Sequence, residues 1–280
     1  MSEVPRPRQR PRPWTPLLPD LAVRSRSPWV FFLILLLLSL PFWWIGGAGG
    51  RLPFATFLPV SALMTFVPMI AALVLVYRES GATGARAFVS QALDIDGIKG
   101  MGWVLTALLL MPVVFALQYG VLRFSGAALP DPQFFPIAEV LAFLLMFIIG
   151  AIGEELGWQG YAFGPLRERW GALAAGLIIG VIWALWHVIP FAEMGRSGGW
   201  IAWHSLAMIA MRVIIVWLFA NTGQSVLIAV LFHTMSNMPY GVLANYGSYY
   251  DPLVTALILT IVAAVIVALW GRLWRQTEGI

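Results

Sequence analysis

Cysteine is absent from the 280 residues. Its absence excludes disulfides, thiolate nucleophiles, Cys-ligated zinc and iron–sulfur clusters. Charge is scarce too: charged residues make up 11% of the chain, against about 25% in an ordinary soluble domain. Lysine occurs once, at Lys99, and the other basic residues are all arginine. Nothing here forms a basic face for reading nucleic acid. What is abundant is apolar: 60% of residues are hydrophobic and the mean hydropathy is +0.83. That composition excludes a soluble enzyme and a disordered chain. It predicts an integral membrane protein, because only lipid solvates so much apolar surface.

A membrane helix needs roughly 20 mostly apolar residues. Eight runs meet or approach that length: Ser27–Gly50, Leu52–Tyr77, Gly100–Leu122, Phe134–Gly153, Trp170–Ala192, Ile201–Ala220, Gln224–Val242 and Pro252–Gly271. The expectation is an all-α, polytopic bundle of about eight spans, with no strands and both termini on one side. Residues 28–280 form the bundle. Residues 1–27, rich in Pro and Arg, read as a disordered cytoplasmic tail.

The basic residues set the orientation. With the N-terminus inside, the cytoplasmic segments hold Arg6, Arg8, Arg10, Arg12, Arg24, Arg26, Arg78, Arg86, Lys99, Arg167, Arg169, Arg272 and Arg275. The other side holds Arg51, Arg123 and Arg196. This bias predicts cytoplasmic termini, in what reads as a bacterial plasma membrane.

Ionisable groups within a span are expensive and usually functional. Here they are Glu139, Glu154, Glu155, His187, His204, Arg212 and His233. Glu139, near its span's start, reads as interfacial. The charged stretch Arg167–Gly171 reads as a reversal between spans four and five. Glu154 lies 15 residues before its centre at Arg169, and His187 18 residues after. At 1.5 Å per residue, that puts a carboxylate and an imidazole at one depth, about 22–27 Å from the turn. Glu154 and Glu155 project about 100° apart, so they cannot both face one cavity. Glu154 shares a face with Trp158 and Tyr161, and Glu155 with Gln159. His233 and Asn237 form an i, i+4 pair, as do Trp183 and His187. His204 reads as a helix-to-helix hydrogen bond. Arg212 reads as snorkelling to the cytoplasmic interface.

Three motifs thus follow in order: Glu154-Glu155-x-x-x-Gln159, Trp183-x-x-x-His187 and His233-x-x-x-Asn237. The pattern resembles the CPBP family of intramembrane glutamic endopeptidases, over about residues 134–240. That family includes type II CAAX prenyl endopeptidases and bacteriocin-processing or self-immunity homologues. Gly157-Trp158 and Thr222-Gly223 fit the same context. The family's Arg is Gln159 here. Gln can hydrogen-bond Glu155 but adds no charge, so Glu155 is protonated or paired with Arg212.

The resemblance implies peptide hydrolysis without a covalent intermediate and without a cofactor. Glu154 would be the general base, with His187 orienting the water or returning a proton. His233 and Asn237 would bind the oxyanion, and Glu155, Gln159 and Trp183 would support them. One carboxylate and two imidazoles also match some zinc proteases, but there is no His-Glu-x-x-His, and the metal-free reading is preferred. The substrate would be a peptide or membrane-protein tail cut near the cytoplasmic leaflet. The alternatives are an inert scaffold or self-immunity protein, which Gln159 favours, and a proton-coupled transporter, ranked last because no paired repeat is visible. Sequence leaves the oligomeric state open.

Overall fold

A computed structural model describes residues 27–53, 55–129, 136–242 and 249–270. The expectation of a disordered tail over 1–27 therefore lies outside the described residues, Ser27 excepted. The chain is a helical bundle of α1 (Pro28–Gly47), α2 (Val67–Ser90), α3 (Met101–Phe124), α4 (Ile137–Glu155), α5 (Phe163–Glu193), α6 (Gly198–Asn221), α7 (Val226–Val242) and α8 (Pro252–Leu269). Among the described residues six helical stretches are long and apolar enough to cross a membrane, with a shorter apolar helix at Val226–Met238. One of the six, Ile137–Glu193, contains both α4 and α5. The figure of eight spans and the side of the termini rest on sequence alone.

Caps and breakers explain several boundaries. Pro28 and Pro252 start α1 and α8, where a missing N–H costs nothing. Asp251 and Ser197 cap α8 and α6 by accepting from Val254 N and Trp200 N. Gly171 (φ 82°) breaks α5 just after Trp170, in the backbone region that glycine tolerates best. The predicted reversal at Arg167–Gly171 therefore ends on this break.

One departure is a short antiparallel ribbon, β1 (Arg51–Leu52) with β2 (Ala55–Pro59), where no strand was expected. It leads into a 3₁₀ segment, Val60–Phe66. The run Leu52–Tyr77 is apolar throughout, and hydropathy alone does not separate a ribbon and a tight helix from one straight span.

The bundle has two distinguishable ends. At the first, Trp29 meets Trp170 edge-on at 5.9 Å, Tyr161 Oη donates to Glu79, and Ser225 Oγ donates to the Asp94 carbonyl. At the second, Arg51 donates to the Glu193 carbonyl, the Glu193 carboxylate lies against Gly46, and Gln118 bonds the Tyr249 carbonyl and the Asp251 amide. Between the ends, large apolar side chains such as Leu33, Leu109, Leu145, Leu185 and Ile261 face outward. A membrane helix presents such a surface to lipid.

Glycines set the closest packing. A Cβ on Gly157 would lie 2.5 Å from the Pro68 backbone, and one on Gly153 would lie 2.7 Å from the Thr65 carbonyl. A Cβ on Gly180 would lie 3.1 Å from Arg212 Cβ, and one on Gly176 would lie 3.1 Å from Val216. Small residues let membrane helices approach so closely. The first seam brings Thr65 to α4, and the second lays Arg212 across α5.

Candidate active site

Immediately after the two acids the helix widens into a π-helical turn, Leu156–Ala162. Such turns recur at functional sites because they re-aim neighbouring side chains. Here the two acids diverge, as their 100° separation predicts. Both are buried, yet their surroundings differ completely.

Glu154 is held by neutral donors. Trp183 Nε1 donates to Oε2 at 2.5 Å and Trp158 Nε1 to the same oxygen at 3.3 Å. Thr65 Oγ1 lies 3.2 Å from Oε1 and shares its single proton with the Gly150 carbonyl at 3.1 Å. His187 Nε2 stands 4.0 Å from Oε1. The other His187 nitrogen, Nδ1, lies 2.9 Å from the Trp183 carbonyl. A carbonyl only accepts, so Nδ1 carries the proton and Nε2 of the neutral ring presents a lone pair. The carboxylate oxygen and this nitrogen are thus two acceptors facing across 4.0 Å.

Glu155 is held by charge. Arg212 Nη1 donates to Oε2 at 2.7 Å, with both side chains wholly buried. His233 Nδ1 contacts Oε1 at 2.8 Å. Arg212 therefore does not snorkel. It stays inside because Glu155 pairs with it and because its guanidinium lies 4.4 Å from the Trp183 ring centre. Of the two outcomes foreseen for Glu155, pairing with Arg212 is the one observed. Trp183 links the two acids, donating to Glu154 on its edge and covering Arg212 with its face.

One expectation needs correction. Gln159 does not bond Glu155: it is buried, and neither amide atom has a hydrogen-bond partner among the described residues. Arg212 and His233 occupy the two Glu155 oxygens instead. The spacing argument assumed α-helical winding, whereas Gln159 sits in the wider π turn. His233, by contrast, keeps Nε2 uncommitted to Glu155, which it contacts through Nδ1.

Glu154, His187, His233 and Asn237 line one cavity of about 260 Å³. Glu155 and Gln159 do not line it, but Trp183 does. His204 lines it as well, 2.5 Å from Tyr250 Oη through Nδ1 and stacked on Trp200. Its partner stands just before α8, outside any helix, where a helix-to-helix bond was expected. Among the described residues no group of three His, Asp or Glu side chains is placed to hold a metal ion. Thr65 was not foreseen, since a hydroxyl in an apolar run carries no motif. Arg212 was visible as an intramembrane charge, but its partner was not fixed.

A family model described as "Type II CAAX prenyl endopeptidase Rce1-like" matches residues 136–239. A relative from Methanococcus maripaludis, named "CAAX prenyl protease 2", is 25% identical over 207 residues, covering 69% of this chain and 73% of the relative. The matched segment encloses all three polar motifs, and both matches agree with the family resemblance drawn from them.

Proposed function

We propose that this chain, similar over residues 136–239 to type II CAAX prenyl endopeptidases, is a membrane-embedded endopeptidase in which Glu154 activates water. The observation that carries this reading is the 4.0 Å pair of acceptors, Glu154 Oε1 and His187 Nε2, at a cavity wall. A water placed between them gives one hydrogen to each and turns a lone pair toward the cavity. As that oxygen attacks a peptide carbonyl, Glu154 takes its proton. The proton then passes to the leaving amine, directly or through His187. Such acid–base work is worth about 10²- to 10⁴-fold in rate.

Asn237 and His233 stabilise the oxyanion. The Asn237 amide always has N–H groups to offer. His233 Nε2 carries a proton only in the cationic ring, because Nδ1 is committed to Glu155. Glu155 holds the ring by its Nδ1, so Nε2 is the atom left for that bond. Losing one oxyanion donor costs about 10²- to 10³-fold. Gln159 no longer favours the inert scaffold, since Arg212 supplies the charge that Gln159 lacks.

The test compares peptide termini in membranes from cells carrying the wild type or Glu154→Gln. Termini lost in the variant, at unchanged protein level, support the peptidase. An identical set, with full biological rescue by Glu154→Gln, refutes it.

A further inference from the structure

One polar group of the cavity takes no part in the chemistry of Glu154. His204, on α6, lines the same space as Glu154 and His187. It belongs to none of the three motifs. Its partner Tyr250 lies outside the family-matched stretch 136–239, and so does Gln118, which holds the backbone beside Tyr250.

The imidazole is fixed on three sides. It stacks on Trp200 at 4.7 Å and meets Phe191 edge-on at 4.8 Å. Its Nδ1 lies 2.5 Å from Tyr250 Oη. Tyr250 is itself held. Gln118, buried in α3, donates to the Tyr249 carbonyl and accepts from the Asp251 amide, so it grips the backbone on either side of Tyr250. The Thr255 hydroxyl, on α8, donates to the same Gln118 oxygen at 2.6 Å. Buried polar groups from α3 and α8 are thus committed to placing one ring on α6.

A phenol is a better hydrogen-bond donor than a neutral imidazole N–H. Tyr250 Oη therefore donates to Nδ1, and the ring carries its own proton on Nε2. Among the described residues that Nε2–H has no acceptor. His187 is the opposite tautomer, with a lone pair on Nε2.

An extended peptide brings one carbonyl per residue into this cavity. Much of the wall offers it nothing: Met64, Met111, Phe115, Phe147 and Met208 have no donor. A carbonyl drawn out of water without a donor is costly. His204 stands within range to supply one. A single ring, Phe191, separates the two imidazoles, 5.6 Å from His187 and 4.8 Å from His204. His204 is therefore within about three residues of extended chain from His187, at about 3.4 Å each.

We propose that His204 binds one main-chain carbonyl of the substrate through Nε2–H, a few residues from the cut, and that Tyr250 is the positioning residue that sets its tautomer. The contact reads backbone, not side chain, so it aligns the chain for Glu154 whatever the local sequence. That the ligand is a peptide rests on the endopeptidase reading above.

Two substitutions separate binding from packing, because amides can stand in for the two ring nitrogens. The Asn amide nitrogen falls near the place of Nδ1, and the Gln amide nitrogen near that of Nε2. His204→Asn keeps the Tyr250 bond and loses the outer donor, and His204→Gln does the reverse. Tyr250→Phe frees Nδ1, so the proton can leave Nε2; it carries the test if an amide variant fails to fold. All three are made in the wild type and in Glu154→Gln, which holds peptide uncleaved. The probe is a fluorescent library of random decapeptides, added to purified protein in detergent. Anisotropy on the Glu154→Gln background gives Kd, and the tightest-bound member then serves as substrate for kcat and KM.

His204→Asn and Tyr250→Phe should raise Kd and KM about 3- to 10-fold, as for one lost hydrogen bond, with kcat changed less than about twofold. His204→Gln should hold Kd within about twofold of the native residue, since it retains the donor. The reverse order, with Asn tolerated and Gln not, overturns the proposal and makes His204 a packing group. Equal Kd in all variants overturns it too, as does a library that binds none of them. Binding in the expected order without Glu154-dependent cleavage would refute the peptidase and leave the contact standing. Glu154-dependent cleavage indifferent to His204 would do the opposite.

Discussion

Arg212→Leu isolates the buried charge of Glu155. In the native chain Arg212 lies 2.7 Å from Glu155 and neither side chain is exposed. Removing one partner of such a pair leaves an uncompensated buried charge, at a cost of about 3–5 kcal/mol. Loss of the Arg212–Trp183 stacking adds to this. His233 works in the opposite direction: at 2.8 Å from Glu155 it leaves the stranded carboxylate one hydrogen bond. The net loss should therefore fall at the lower end, about 3 kcal/mol. At about 2–4 °C per kcal/mol for a chain of this size, the thermal midpoint in detergent should drop by about 10 °C. Glu155→Gln alone should cost a similar amount, because Arg212 is then stranded. The double variant removes both charges and should recover most of the loss, giving a coupling of at least about 2 kcal/mol. Arg212→Lys keeps the charge but loses the planar fork, and should fall between wild type and Arg212→Leu. Single variants that each cost under about 1 kcal/mol, or a double variant equal to their sum, would refute the assignment of this pair as the core's electrostatic anchor.

Other outcomes follow from the same geometry. Thr65→Val keeps the shape and removes a donor to Glu154; kcat should fall about 10-fold, as for a hydrogen bond to a charged group, while the thermal midpoint stays near wild type. A parallel fall in the midpoint would mean that Thr65 acts through packing instead. Gly157→Ala drives a Cβ toward the Pro68 backbone. It should cost about 1–3 kcal/mol and lower activity together with thermal stability, since Thr65 shifts with that seam; unchanged melting would show that the seam is loose. Gln159→Arg introduces the residue that the resemblance implies but adds a second buried cation to a core whose Glu155 already has Arg212. It should destabilise the wild-type background and rescue Arg212→Leu, both measurable by melting; stabilisation of the wild type would contradict the reading.

The helical bundle was legible because apolar runs of membrane length are hard to mistake. The acid and histidine motifs were legible for the converse reason: charge in an apolar run stands out. Depth matching across the Arg167–Gly171 break placed Glu154 near His187, and the two are 4.0 Å apart. The i, i+4 rule correctly put Trp158 on Glu154, at 3.3 Å. It failed for Gln159, which sits deeper in the π turn. Thr65 could not be found, because one hydroxyl among Met64 and Phe66 has no pattern to mark it. Its role depends on glycines in another helix that admit its backbone, and pairwise spacing along the chain does not report such contacts. The choice of partner for Arg212 was left open, and the ribbon was missed, for related reasons: partner choice and backbone form there are set by tertiary packing rather than by local hydropathy.

The Arg212–Glu155 pair also constrains how the chain enters the bilayer. α4 ends in two acids and α6 carries an arginine in mid-helix. Taken singly, each would meet lipid with an unmatched charge, at about 2.5–3.5 kcal/mol per residue at mid-membrane. The helix that joins them in sequence, α5, carries the glycine seam that receives Arg212. Insertion of α4, α5 and α6 is therefore best served as a cohort, released to lipid once the charges have met. A nascent chain halted before α6 would hold Glu155 without its arginine, and retention beside the insertion machinery is then cheaper than release.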